Sequence, residues 1–121
     1  MNFEQKISDT SEDKEYPKLV RDRIPEVIAE SAGREVATRA LELEEFIEYL
    51  KKKAVEEAIE LADSSTDAHL LEEITDMREV LDTLEEAKGF TAEEVRAVQN
   101  KKRAERGGFD SRLLMLHNEI V

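Results

Sequence analysis

Four carboxylates stand at spacings that could hold a divalent cation: Glu57 with Glu60, and Glu73 with Asp76. Their significance comes from helical-wheel arithmetic at about 100° per residue. Leu43, Phe46, Ile47, Leu50, Ala54, Ala58 and Leu61 fall on one stripe, and Glu57 lies near its middle with Glu60 at its edge. A second stripe joins Leu70, Ile74, Met77, Val80, Leu81 and Leu84. Glu73 falls inside that stripe and Asp76 marks its edge, whereas Glu72 and Glu79 are expected on the opposite, solvated face.

An unpaired buried carboxylate costs several kcal/mol, so it neutralises or finds a partner. Residues three apart on a helix stand roughly 5–6 Å apart at Cβ and can grip one ion together. Four oxygen donors from two facing helices suit Mg²⁺ or Mn²⁺, and a chain with no Cys and two His is poorly equipped for zinc. Ion pairs at the rim of the seam are the competing explanation. Glu is the commonest residue of the chain, and Lys53 lies four residues before Glu57.

The elements that must position these groups are helical. Residues 1–15 are polar and acidic and read as a flexible tail; 16–121 read as a single helical domain. Pro25 and Gly33 bracket a short helix near 25–32, with a loop or short extended piece over 34–40. Long helices follow from about Glu42 to Ala62 and from about Asp67 to Lys88. A Ser or Thr among 64–66 is placed to cap the second, which ends at Gly89. Thr91 and Glu94 form a capping box, flanked by a Phe90–Val95 staple, for a helix reaching about Arg106. Gly107-Gly108 stops it, and FDSRLLMLHNEIV follows as a short strand or irregular arm. The fold class is all-α, an antiparallel helical bundle with short loops. Leu41, Val55, Ile59 and Ala62 make a second apolar face on the first long helix. A second copy completing a four-helix arrangement would bury it, as would the 25–32 helix or the C-terminal arm.

Composition narrows the functions. Thirty acids against 18 bases give a net charge of −12, which argues against a nonspecific nucleic-acid binder. No apolar run approaches the roughly 18–20 residues of a membrane span, and the N-terminus lacks the apolar core of a signal peptide. With no cysteine there is no disulfide framework, and a cytoplasmic protein is the simplest expectation. Positive charge concentrates in two places, Lys18/Arg21/Arg23 and Lys101/Lys102/Arg103/Arg106. Either could bind phosphate, helped in the second case by the glycines after Arg106; helix-end cations favoured by the macrodipole explain the second equally well. Lys53 could touch phosphate or pair with Glu57. His69, four residues before Glu73, reads as a surface residue with a conceivable supporting role, and His117 carries no signal.

These residues together carry a family resemblance. KKKAVEEAIEL followed by LLEEITDMREVLDTL resembles the ExxE–spacer–ExxD signature of MazG-like all-α nucleoside triphosphate pyrophosphohydrolases. KLVRDRIPE upstream and RGGF downstream resemble a subgroup often labelled phosphoribosyl-ATP pyrophosphohydrolase-like, over roughly residues 16–112. Arg78 departs from the apolar residue expected after the ExxD, and Thr75 is unusual but faces away from the seam. The resemblance implies Mg²⁺-dependent cleavage of an NTP or dNTP between its α and β phosphates, with nucleotide-pool cleaning as a role. It implies Glu57, Glu60, Glu73 and Asp76 as metal-binding and catalytic residues. Lys18, Arg21, Arg23, Lys53, Lys102 and Arg106 would be substrate-binding, and the protein a homodimer or higher oligomer. Phosphoribosyl-ATP is the rival substrate, and a noncatalytic helical interaction module is the rival class.

Overall fold

The structure is a computed structural model that describes residues 16–119; the expected acidic tail, 1–15, lies outside the described residues. Those residues form four helices and no strand. They divide into two compact units, one ending at Gly89 and one beginning at Phe90.

Local sequence sets the boundaries in the first unit. Helix α1, Ile24–Ala32, carries Pro25 in its first turn, where a missing N–H costs nothing. It ends at Gly33, which takes a left-handed φ of 68° and donates its N–H to Ala29 O. Helix α2, Leu43–Asp63, contains neither Gly nor Pro. Arg39, on the irregular stretch before it, forms a two-pronged pair with Glu45, at 3.0 and 2.8 Å. Ser64 closes α2 through its Oγ, which donates to Leu61 O. Helix α3, Asp67–Lys88, starts under Thr66, whose Oγ1 accepts the His69 N–H at 3.1 Å. Gly89 ends it in the left-handed region, φ 76°.

The three-residue connection 64–66 folds α2 and α3 back on each other, so they pack as an antiparallel pair. Within their seam the buried residues are Leu50, Val80, Glu57 and Glu73. Half of this small core is therefore carboxylate. The apolar stripes are less covered than the wheel suggests: Leu43, Leu70, Ile74 and Leu81 are exposed. Two helices shield only the line along which they touch, and the flanks of both stripes remain at the surface. On the second apolar face, Val55 and Ala62 are exposed and Leu41 and Ile59 half-buried.

The second unit holds α4, Ala92–Arg106, with Thr91 Oγ1 accepting the Glu94 N–H at 3.1 Å. Gly107 ends the helix, donating its N–H to Arg103 O. Residues 107–119 are irregular and not a strand, and Phe109 and Leu113 to Leu116 are exposed.

Leu50 is 2% exposed and Leu43 58% exposed on the same helix. Leu50→Ala is expected to cost about 2–5 kcal/mol, and Leu43→Ala about 0.5 kcal/mol or less, by urea denaturation. Equal losses would contradict the packing.

Candidate metal centre

The antiparallel seam brings Glu57 and Glu60 of α2 against Glu73 of α3. Carboxylate oxygens of these three residues all lie within 4.8 Å of one another. Glu57 and Glu73 are 7% and 6% exposed, while Glu60 sits at the solvent side of the group. The pairing follows from sequence: each buried Glu replaces a stripe residue, and Glu60 lies three residues after Glu57, on the same side of the helix.

The buried carboxyls are incompletely satisfied. Lys53 Nζ lies 2.9 Å from Glu56 and 3.6 Å from Glu57 Oε1. His69 Nε2 lies 3.3 Å from Glu73 Oε1, an ionic contact only when the imidazole is protonated. The other oxygens, Glu57 Oε2 and Glu73 Oε2, are buried with no hydrogen-bond partner among the described residues. When ionised, Glu57, Glu60 and Glu73 only accept hydrogen bonds and repel one another, whereas a protonated Glu57 donates to the Glu73 carboxylate. Burial pushes Glu57 up to about 7, reinforced by the charge of Glu60, contact with the Glu73 carboxyl and the charge of Asp76, against the pull of Lys53. Glu60 is raised as well, by burial first and then by Glu73. Both shifts come from burial before charge: the carboxyls lose water first, and neighbouring carboxylates add repulsion that Lys53 only partly offsets.

Asp76 has a different place from its expected partners. It is not among the carboxylates gathered within 4.8 Å; its Oδ1 accepts Arg21 Nη2 at 2.7 Å. Beside it opens a cleft of about 330 Å³. Leu19, Phe46, Leu50 and Val80 give the cleft an apolar wall, and Arg21, Asp22, Lys53, Glu57, Asp76, Glu79 and Thr83 give it polar groups. Glu57 belongs to both the carboxylate cluster and the cleft.

Of the first basic group, Arg21 faces the cleft, Lys18 lies 5.2 Å over the Tyr16 ring, and Arg23 is 3.7 Å from Glu26. Lys102 and Arg106 are exposed on α4 of the second unit. Thr75 turns away from the seam and donates to Glu72 O, and Arg78 reaches solvent.

Glu79 and Thr83 were not legible as cleft residues. Glu79 is exposed, as its wheel position implies, but the segment Leu19–Asp22 borders that edge of α3 and makes it a wall. The wheel treats one helix at a time and does not register a third segment. The signal that existed was the KLVRDR run itself, which mixes apolar and charged residues ahead of α1.

A carboxyl whose folded pKa is raised favours the folded state below its ordinary range and loses that contribution as pH climbs through the folded value. For Glu57 that window runs from the ordinary carboxyl range to about 7. The urea midpoint of metal-free protein is expected to fall between pH 5 and pH 8, estimated as roughly that window, and Glu57→Gln should flatten the fall. A wild-type midpoint that does not move, or an equal slope in the variant, would contradict the electrostatics described.

No protein-family model, curated protein or solved structure matches this chain, so its chemistry is read from its own residues.

Proposed function

We propose that this chain is a Mg²⁺-dependent nucleotide pyrophosphohydrolase, cleaving an NTP or dNTP to the monophosphate and pyrophosphate. The observation that carries the reading is the pair of buried, unpartnered carboxylate oxygens, Glu57 Oε2 and Glu73 Oε2, in a three-glutamate cluster bordering a cleft. All of the donors are hard oxygens, which fits Mg²⁺ or Mn²⁺. The choice of reaction follows the order ExxE, spacer, ExxD, which resembles the MazG-like signature.

When bound, Mg²⁺ supplies neutralisation of the triphosphate and of the pyrophosphate leaving group. The protein's own residues do the rest. Glu57, Glu60 and Glu73 hold the cation, with Asp76 at the same edge of α3. Arg21 offers a guanidinium fork to phosphate oxygens, and Lys53 a point charge in the lining of the same cleft. A carboxylate of the set takes a proton from the attacking water while the α–β anhydride bond breaks. With no cysteine in the chain, and no Ser–His hydrogen bond among the described residues, direct attack by water is the economical route.

The cleft's apolar wall suits a nucleoside, and phosphoribosyl-ATP presents the same anhydride bond. The noncatalytic alternative draws on Lys53 and His69, whose contacts with Glu57 and Glu73 could serve only to hold two helices together. Pyrophosphate release separates these readings. Wild type with Mg²⁺ should release pyrophosphate from at least one of a panel of NTPs, dNTPs and phosphoribosyl-ATP. Glu57→Gln and Glu73→Gln should each lower the rate by roughly 100-fold or more, the scale on which lost charge stabilisation reads. No release from any substrate overturns the enzyme; full activity in both variants overturns the site.

Assembly belongs to the same reading. Val55, Leu71 and Leu81 are 41%, 65% and 45% exposed on the α2–α3 pair, large apolar side chains that a second copy would cover. Sedimentation should give a homodimer or higher oligomer, and Val55→Glu with Leu71→Glu should shift it to monomer. A monomeric wild type would contradict this.

A further inference from the structure

Arg21 lies on the segment before α1 and crosses to α3, where its Nη2 donates to Asp76 Oδ1 at 2.7 Å. Their side chains are 57% and 36% exposed, and both line the cleft that Glu57 borders. An ion pair this open to water contributes little to stability, so a second anion can compete for the arginine. Phosphate is an apt competitor, because the guanidinium fork fits its oxygens as well as it fits a carboxylate.

Asp76 has two claims on it. It follows Glu73 by three residues on the same side of α3, next to a cluster with two buried oxygens that lack any partner. Its charge already acts on Glu57. With Arg21 attached, part of that charge is neutralised and the carboxylate stands apart from the three glutamates.

We propose that Arg21 is a phosphate-responsive latch on Asp76: a phosphate-bearing ligand in the cleft takes the guanidinium, and the freed Asp76 carboxylate joins Glu57, Glu60 and Glu73 in holding a divalent cation. This rests on the metal-binding reading above and adds an order to it. Without a phosphate ligand the cluster has three carboxylates for the cation; with one it has four. By linkage, ligand and cation then strengthen each other's binding by the same factor. Arg21 thereby acts on the cation through Asp76 as a positioning residue, besides any contact with substrate.

The test reads Mn²⁺ binding directly, from the electron paramagnetic resonance signal of free Mn²⁺. Titrations compare wild type, Arg21→Gln, Asp76→Asn and the double variant, each with and without millimolar AMP as the phosphate probe. Arg21→Ala replaces Arg21→Gln if the latter does not fold. Without AMP, Arg21→Gln should tighten Mn²⁺ binding by about fivefold or more, the lower range for coupled sites. The same substitution should have little effect in the Asp76→Asn background. AMP should tighten Mn²⁺ binding to wild type and leave Arg21→Gln unchanged. Equal tightening in both backgrounds would mean a plain charge effect and overturn the latch, as would no tightening, or an AMP effect that survives in Arg21→Gln. If wild-type Mn²⁺ binding is lost in Glu57→Gln and Glu73→Gln but the cycle shows no coupling, the latch alone fails. If wild type binds no Mn²⁺ in either condition, the metal reading fails with it.

Discussion

Burial of Glu57 and Glu73 in the α2–α3 seam is the constraint around which the first unit is arranged. Each lies at a position whose helical neighbours, Leu50 and Leu61 or Leu70 and Met77, belong to an apolar stripe. Each keeps an oxygen out of water without a donor. Replacing buried polar groups by well-packed apolar ones is often neutral or stabilising, so the fold alone offers no reason for carboxylates at these places. Lys53 offsets part of the charge on Glu57, and His69 contacts Glu73 as a cation only when its imidazole is protonated. Burial raises the Glu57 carboxyl first, and the charge of Glu60 adds to the excess instead of relieving it. A cation between the helices would reverse that penalty.

The same constraint explains how little apolar core the unit has. Leu50 and Val80 are its buried apolar side chains, and the rest of the seam's centre is given to glutamate. Stability must then come from capping, from the antiparallel packing and from whatever covers the exposed flanks. Thr66, Ser64, Gly33 and Gly89 each satisfy an end of a helix, so local chemistry defines the elements tightly. Well-capped helices around a buried, underpaired carboxylate centre suit a site that is completed by a ligand.

Much of this was legible in the chain itself. Ends of α1 to α4 fall within about a residue or two of the punctuation supplied by Pro25, Gly33, Thr66, Gly89, Thr91 and Gly107, the usual uncertainty of helix boundaries. The gathering of Glu57, Glu60 and Glu73 followed from wheel positions, because two antiparallel helices must turn their stripes toward each other. What involved a third segment did not follow. The Arg21–Asp76 pair spans 55 residues, and no periodicity connects a loop arginine to one edge of a distant helix. The wheel puts Glu79 on the solvated face, where it stands, but does not register the Leu19–Asp22 segment that makes it part of the cleft lining. The exposure of Leu43, Leu70 and Ile74 was equally hidden, since a stripe shows which side is apolar and not how much of it a neighbour covers.

Divalent-cation binding by the buried carboxylates is most directly tested by thermal unfolding at about pH 7.5, on the ionised side of the raised Glu57 carboxyl, with and without Mg²⁺. A ligand at about 100 times its Kd adds about 2.7 kcal/mol to the folded state. Saturating Mg²⁺ should therefore raise the wild-type Tm by several degrees, an estimate for a domain of this size, and should leave a Glu57→Gln/Glu73→Gln double variant where it was. A wild-type Tm that ignores Mg²⁺, or a double variant that rises equally, would contradict the account.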